Sequence, residues 1–582
     1  MSENRNTILA IVLSLAILLG WEMFFAPKNA PKPPTPATAT TPAATEQPPP
    51  GPPLAGAVSP PATLPSPGGA EENPAREKIV EAETRVKIST SRLHGSISLK
   101  GLRFDDITLA EFHEKPDPRS PEITLLSPLA APKPYYSEVG MIGSDSVKLP
   151  TAATTWTADS ADATLTEKTP LIVHWDNSEG LRFSRKISVD EDFLFTVEQT
   201  VENTGDKAVT VYPYALVARL DTPATQGYYI LFEGPLGVFN GTKTEVKYAD
   251  LIKKGRETFE STGGWVGITD KYWLATVALD QATKVNATIS HTMAGTRDRY
   301  QTDLRGDAVS VAPGASATTK AFVFAGAKEV TLLDQYAEKQ GIARFDLAVD
   351  WGWFYFLTKP FFYALNWLRG VIGNFGLGIL AFTTCLRLVM FPIANKQYAA
   401  MNKMKALQPQ MKALQDRYAN DKQKLNTELM ELYKREKANP VAGCLPILIQ
   451  IPIFFALYKV LFVTIEMRHA PFYGWIHDLS APDPTNIFSL FGLIPFELPD
   501  FLHLGALPII MGATMWLQQK LSPQPPDPIQ ARMMMLLPIV FTFMLASFPA
   551  GLVLYWTWSN LLGILQQWVL MRKSPDATKA KA

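Results

Sequence analysis

Hydrophobic positions fall along this chain in three successive patterns. Residues 7–25, TILAIVLSLAILLGWEMFF, form an apolar run of about spanning length that closes on Trp21, Phe24 and Phe25 in the manner of an interfacial aromatic belt. The run predicts a transmembrane anchor over residues 1–25. A cleaved signal peptide is the rival reading, disfavoured because the run exceeds a usual signal core and no A-x-A site follows. Over residues 77–335 the runs shorten and alternate. In RFSRKISV, Phe183, Ile187 and Val189 fall on one side and Arg182, Ser184, Lys186 and Ser188 on the other. FLFTVEQTVEN then leads through Thr204-Gly205-Asp206 into AVTVYPYALVARL, a hairpin pattern. Many short strands of this kind predict a large antiparallel β-sandwich. After Leu332 the pattern turns helical and stays so.

The helical part contains five long apolar stretches, at 374–397, 441–466, 503–521, 531–548 and 550–571, which predict spans two to six. Residues 336–373 hold WGWFYFLTKPFFYALNWLRGVIG, rich in aromatics but carrying Lys359, Pro360 and Arg369. An amphipathic helix lying on the outer membrane face fits that mixture better than a tilted span. Between the second and third spans, residues 398–440 predict a helical hairpin. Met404, Leu407, Met411, Leu414 and Tyr418 repeat at spacings of three and four, and so do Leu425, Leu429 and Leu432 beyond Asn420-Asp421, as two facing seams require. From Lys396 to Asn439 there are ten Lys or Arg against five Asp or Glu, which assigns the segment to the cytoplasm. The short loop 522–530 and the basic tail 572–582 agree with it. The loop 467–502 carries Arg468 against Asp478, Asp483, Glu497 and Asp500, and so belongs outside. Six spans with both termini inside then put the sandwich in the periplasm.

Composition adds a tether and removes several function classes. Residues 26–76 are mostly proline, alanine, threonine and glycine, too poor in large apolar residues to build a core and stiff enough to act as a semi-extended linker. Lys plus Arg equals Asp plus Glu at 55 each, so global charge points to no DNA partner. The two cysteines, Cys385 and Cys444, lie in apolar runs and offer neither a disulfide framework nor a metal site. No catalytic constellation, metal cluster or phosphate-binding G-x-x-x-x-G-K-[ST] loop is present, and no cofactor is expected.

Arg387 is a charge set inside one of these apolar runs. Flanked by Cys385, Leu386, Leu388 and Val389, it costs roughly 2.5–3.5 kcal/mol at the centre of a span and usually faces a wet cavity or a partner. Thr383 lies one helical turn away on its face, and Gln450 interrupts the next span between Pro446 and Pro452. These residues predict a polar, positively charged cavity within the membrane; snorkelling of Arg387 to the cytoplasmic headgroups is the alternative. A transporter calls for more charged or broken spans and an internal repeat. A membrane enzyme calls for an acid–base pair or metal. A chaperone for membrane segments needs only a polar holding place beside an apolar surface, and the many methionines in and around the spans suit varied clients as well as they suit ordinary span filling.

Long motifs carry a resemblance over nearly the whole chain: WVGITDKYWLATVAL (265–279), TTCLRLVMFP (383–392), KMKALQPQMKALQDRY (403–418), NPVAGCLPILIQIPIFFALY (439–458), WIHDLSAPDP (475–484), LQQKLSP (517–523) and FPAGLVLYWTWSN (548–560). The chain resembles the YidC/Oxa/Alb family of membrane protein insertases. The resemblance implies a five-helix core with a hydrophilic groove closed to the periplasm, its arginine at Arg387 and polar neighbours at Thr383 and Gln450. It implies an apolar slide for client segments at Phe454, Tyr555 and Trp556, with Trp556 standing where a relative has tyrosine. It also implies as partners nascent membrane proteins, the lipid bilayer, and the Sec translocon with its accessory subunits. For the hairpin, Lys403, Lys405, Lys412, Arg417 and Lys422 are the charges expected to meet a ribosome or anionic lipid. A Sec-dependent assembly factor without autonomous insertion, or a channel, is the alternative function. Residues Asn486–Leu504 look like an insertion relative to some members.

Overall fold

The computed structural model describes residues 76–143, 147–160, 162–225, 231–418, 421–436, 445–488, 504–521 and 528–572. The expected anchor, the linker up to residue 75, most of the Asn486–Leu504 segment, Cys444 and nearly all of the tail lie outside the described residues. The chain divides into two compact units, one ending at Asp350 and the other beginning at Trp351.

The first unit opens on a short helix, Arg76–Ala82, and is otherwise dominated by an eleven-stranded and a nine-stranded sheet. Pairing is antiparallel except for one short parallel match between Lys87–Ile88 and Thr164–Leu165. The sheets meet face to face. Phe104 of one packs edge-on to Phe195 of the other at 5.2 Å, and the Tyr135 hydroxyl donates across the gap to the Ile268 carbonyl at 2.7 Å. The alternation in RFSRKISV is realised in the strand Leu181–Val189, whose odd-numbered residues are buried. That row includes Arg185, which shares the parity of Phe183 and Ile187.

One strand pairing differs from the sequence expectation. Leu194–Asn203 and Val209–Leu220 do not form a hairpin: the first lies in the nine-stranded sheet and the second in the eleven-stranded sheet. Leu194–Asn203 pairs instead with Leu181–Val189 and with Ser316–Ala327. The Thr204-Gly205-Asp206 turn is therefore a crossover between layers. Asn203 holds it, donating from Nδ2 to the carbonyls of Lys207 at 2.7 Å and Val311 at 2.9 Å while its Oδ1 accepts from the Gly205 N–H. The last strand ends at Ala327, and a helix begins at Val330, a few residues before the expected sandwich limit of 335.

The second unit is helical. Its helices are α1 (Tyr355–Ile372), α2 (Phe375–Arg417), α3 (Lys422–Arg435), α4 (Leu445–Val463), α5 (Ala506–Leu521), α6 (Pro528–Leu545) and α7 (Ala550–Arg572). α2 runs without a break through residues 397 and 398, where the sequence reading divided span from hairpin; Pro392 and Pro409 lie inside it. Its N-cap is Asn374, whose side chain accepts from the Leu377 N–H. Beyond the apolar half, Leu407 and Met411 pack against Leu432 of α3, with Met404, Leu414, Leu429 and Tyr433 around them. α1 buries Thr358, Phe362 and Leu365 and exposes Phe356, Tyr363, Trp367 and Val371. Among the described residues, Phe375–Gln397 is the stretch long and apolar enough to cross a membrane, and Gln450–Val463 and Arg532–Leu545 are shorter apolar helices.

Candidate functional site

The polar residues of the helical unit gather where α7 meets its neighbours. Arg387, on the apolar half of α2, donates from Nη2 to the Ser559 hydroxyl at 2.7 Å and to the Ser559 carbonyl at 3.0 Å. Both acceptors are neutral oxygens on α7. One turn further along, Gly563 leaves room for the Gln518 amide, whose Nε2 a Cβ would approach to 2.8 Å, while Arg387 Nη2 would lie at an ordinary contact distance of 3.8 Å. One turn before Arg387, Trp558 donates from its indole to the Thr384 hydroxyl at 3.0 Å. Asn560 extends the seam to α5 by donating to Thr514 at 3.2 Å. Buried polar groups need such partners, since an unmet donor or acceptor costs about 1–3 kcal/mol.

The sequence-predicted residues divide. Thr383 is buried beside Arg387's turn, but its hydroxyl donates back to the Ile379 carbonyl of its own helix at 2.6 Å, so its polarity is spent locally. Gln450 and Tyr555, expected in separate parts of the site, meet: Gln450 Nε2 donates to the Tyr555 hydroxyl at 3.2 Å. Tyr555 is 2% exposed, so its ring is core in this conformation and not an open contact surface. Phe454 and Trp556 remain partly exposed and pack edge to face at 4.9 Å, with Phe541 of α6 at 5.3 Å from Trp556. An aromatic cluster thus lies beside the polar seam. Ser559 and Trp558 were not singled out by the sequence. A serine inside an apolar helix leaves no mark on hydrophobic spacing, and only the FPAGLVLYWTWSN motif touches it.

In the hairpin, Lys403 donates to the Glu436 carbonyl at 3.4 Å, and Lys412 and Arg417 are exposed. The side chains of Lys405 and Lys422 lie outside the described residues. Asp421 caps α3 by accepting from the Lys424 N–H. No group of His, Cys, Asp and Glu able to hold a metal occurs among the described residues.

Comparison with known proteins follows the same division of the chain. Residues 85–364 match the YidC periplasmic domain, and residues 367–577 match the 60Kd inner membrane protein family. The membrane protein insertase YidC of Methylobacterium radiotolerans is 50% identical, with 98% of this chain and 95% of that protein covered. The chain belongs to the YidC family of membrane protein insertases. The YidC of Bradyrhizobium diazoefficiens is 48% identical over 99% of this chain and 97% of its own length. A YidC insertase crystal structure aligns over 83% of this chain and 92% of its own, at 17% identity and a TM-score of 0.36. As a YidC protein the chain is an inner-membrane insertion factor with a periplasmic domain that is mostly β-sheet; its clients are membrane proteins and it is not an enzyme.

Proposed function

We propose that the seam around Arg387 holds the hydrophilic flank of a client while the client's apolar segment passes into lipid along the aromatic cluster of Phe454 and Trp556. The observation that carries this reading is the guanidinium of Arg387, placed within an apolar span and seated on neutral oxygens of Ser559. Ser559 holds the side chain without itself contributing a negative charge, and an acidic flank gains from approaching the guanidinium. Gln450 and Tyr555 close the deeper part of the seam, and Thr383 lines it as a packed residue. In this reading the chain has six spans with both termini in the cytoplasm, five of them forming the groove. The hairpin of α2 and α3 receives the nascent segment, and Lys403, Lys405, Lys412, Arg417 and Lys422 offer charge to a ribosome or anionic lipid. Transfer of apolar surface drives the step, aided by the membrane potential. Some clients are passed on from the Sec translocon.

The test is insertion of a single-span substrate with an acidic translocated tail into liposomes containing only this protein. Native chain is expected to insert it, Arg387→Ala to lose most of that activity, and Arg387→Lys to recover part. Robust insertion by Arg387→Ala overturns the electrostatic seam. If native liposomes do no better than empty ones, the chain is a Sec-dependent assembly factor.

A further inference from the structure

The segment WIHDLSAPDP lies away from the polar seam, yet it and the turns just before it are bonded to the ends of several helices. At α2, Asn374 donates from Nδ2 to the Pro471 carbonyl at 3.2 Å, and the Phe472 ring occupies the space a Cβ on Gly376 would need. After α4 the chain makes a short turn, Ile465–Met467, and His469 (φ 57°) donates its N–H to Asp478 at 3.1 Å. Asp478 also accepts from the N–H and hydroxyl of Ser480 at 2.8 and 2.7 Å, which fixes the loop's shape.

Asp483 is the residue on which the rest converges. The residue is 2% exposed. Oδ1 accepts from Trp475 Nε1 at 3.1 Å and from the N–H and hydroxyl of Thr485 at 2.9 and 2.7 Å, while Oδ2 accepts from the Leu507 N–H at 2.7 Å. Thr485 in turn accepts from the Ala506 N–H at 2.9 Å. The first N–H groups of α5, which have no partner inside the helix, are thus capped by side chains more than twenty residues earlier. The same loop caps α7 with its backbone: Ala550 donates to the Ala481 carbonyl at 2.8 Å and Gly551 to the Leu479 carbonyl at 2.9 Å. Gly551 permits this approach, since a Cβ there would lie 3.2 Å from the Leu479 oxygen and 3.2 Å from Met467 Sδ.

α7 is the helix that carries Tyr555, Trp556 and Ser559. Ser559 follows Ala550 by nine residues, roughly 14 Å along a helix, so a displacement at the capped end is carried rigidly to the seam. We propose that Asp483 is a positioning residue: by holding the 475–484 loop against α5 and α7 it sets where Ser559 meets Arg387, and with that the preference of the seam for acidic flanks. The inference rests on the seam reading above.

The test compares two substrates, with acidic and with neutral translocated tails, in liposomes containing the native chain, Asp483→Ala, Asp483→Asn, Arg387→Ala, or Arg387→Ala combined with either Asp483 variant. Asp483→Ala is expected to lower acidic-tail insertion about two- to tenfold, the effect of a typical hydrogen bond, and to leave the neutral tail nearly unchanged. In the Arg387→Ala chain the same substitution is expected to add nothing, because both act on one contact. Asp483→Asn keeps the Trp475 and Thr485 bonds but turns a donor towards Leu507, so it falls between native and alanine; it carries the comparison if the alanine chain does not accumulate. A loss shared equally by both tails, or one that adds to Arg387→Ala, marks Asp483 as merely structural and overturns the proposal. So does native behaviour of both Asp483 variants. If Arg387→Ala alone inserts the acidic tail normally, the seam reading itself has failed, and the positioning role falls with it.

Discussion

Two arginines show how far single residues were legible in the sequence. Arg387 stands out because a charge inside a long apolar run is visible without a structure, although its partner Ser559 is not. Arg185 stands in an alternating strand, where charged residues are ordinary, and only its odd-numbered parity marks it as inward. In the structure its guanidinium lies 4.5 Å over the Trp156 ring, opposite Gln199 in the strand register. A half-buried acid in the same unit gives a pH prediction. Burial pushes the Asp303 carboxyl up from 3.8 to about 6, against opposing help from the Gln301 amide, which donates to it at 2.8 Å, and from the charge of Arg299. The folded state therefore holds this proton more tightly than the unfolded chain. Stability is undiminished below pH 3.8, falls as pH rises through the interval to about 6, and stays lower above it. Asp303→Asn removes the titration, with a gain of about 2–3 kcal/mol at pH 8 and none at pH 3.5. Denaturant unfolding of the sandwich at both pH values checks this; equal gains at both contradict the burial account.

At the level of elements, spacing was a good guide wherever a face is packed against a neighbour. Of the seams read as Met404, Leu407, Met411, Leu414 and Tyr418 on one side and Leu425, Leu429 and Leu432 on the other, all but Tyr418 and Leu425 belong to the cluster that meets between α2 and α3. What spacing does not carry is the partner of a strand. Leu194–Asn203 alternates as a hairpin arm would, but a turn that switches sheets and one that returns within a sheet use the same residues. α2 continues past the end of the span for a related reason: the apolar stretch ends at Gln397, where polarity changes, but nothing there breaks a helix. The hairpin has a thin core, so it is expected to respond sharply. Leu432→Ala removes one of three buried side chains and costs about 2–3 kcal/mol. An isolated helix the length of α3 is marginal in water, so its amides should exchange roughly a hundredfold faster while those of α4 and α7 keep their protection. Uniform loss of protection throughout the helical unit would mean that the hairpin is not an independent element.

For the whole molecule, the decisive fact is that the seam and its proposed clamp belong to one compact unit. Arg387, Gln450, Asp483, Tyr555 and Ser559 all follow Trp351, and the hydrogen bonds described for them join residues of that unit. The sandwich has its own core, with Trp156, Trp265, Phe104 and Phe195 fully buried, so each unit meets the usual condition for folding separately. A chain lacking residues 77–335 is therefore expected to keep most of its insertion of a short acidic-tailed substrate into liposomes, and to keep its sensitivity to Arg387→Ala. The two readouts separate the possible causes of a loss. If insertion falls but what remains still depends on Arg387, the sandwich helps delivery or accumulation. If the dependence on Arg387 disappears as well, the sandwich shapes the seam, and the helical unit is not the self-sufficient insertion device that its internal hydrogen bonds imply.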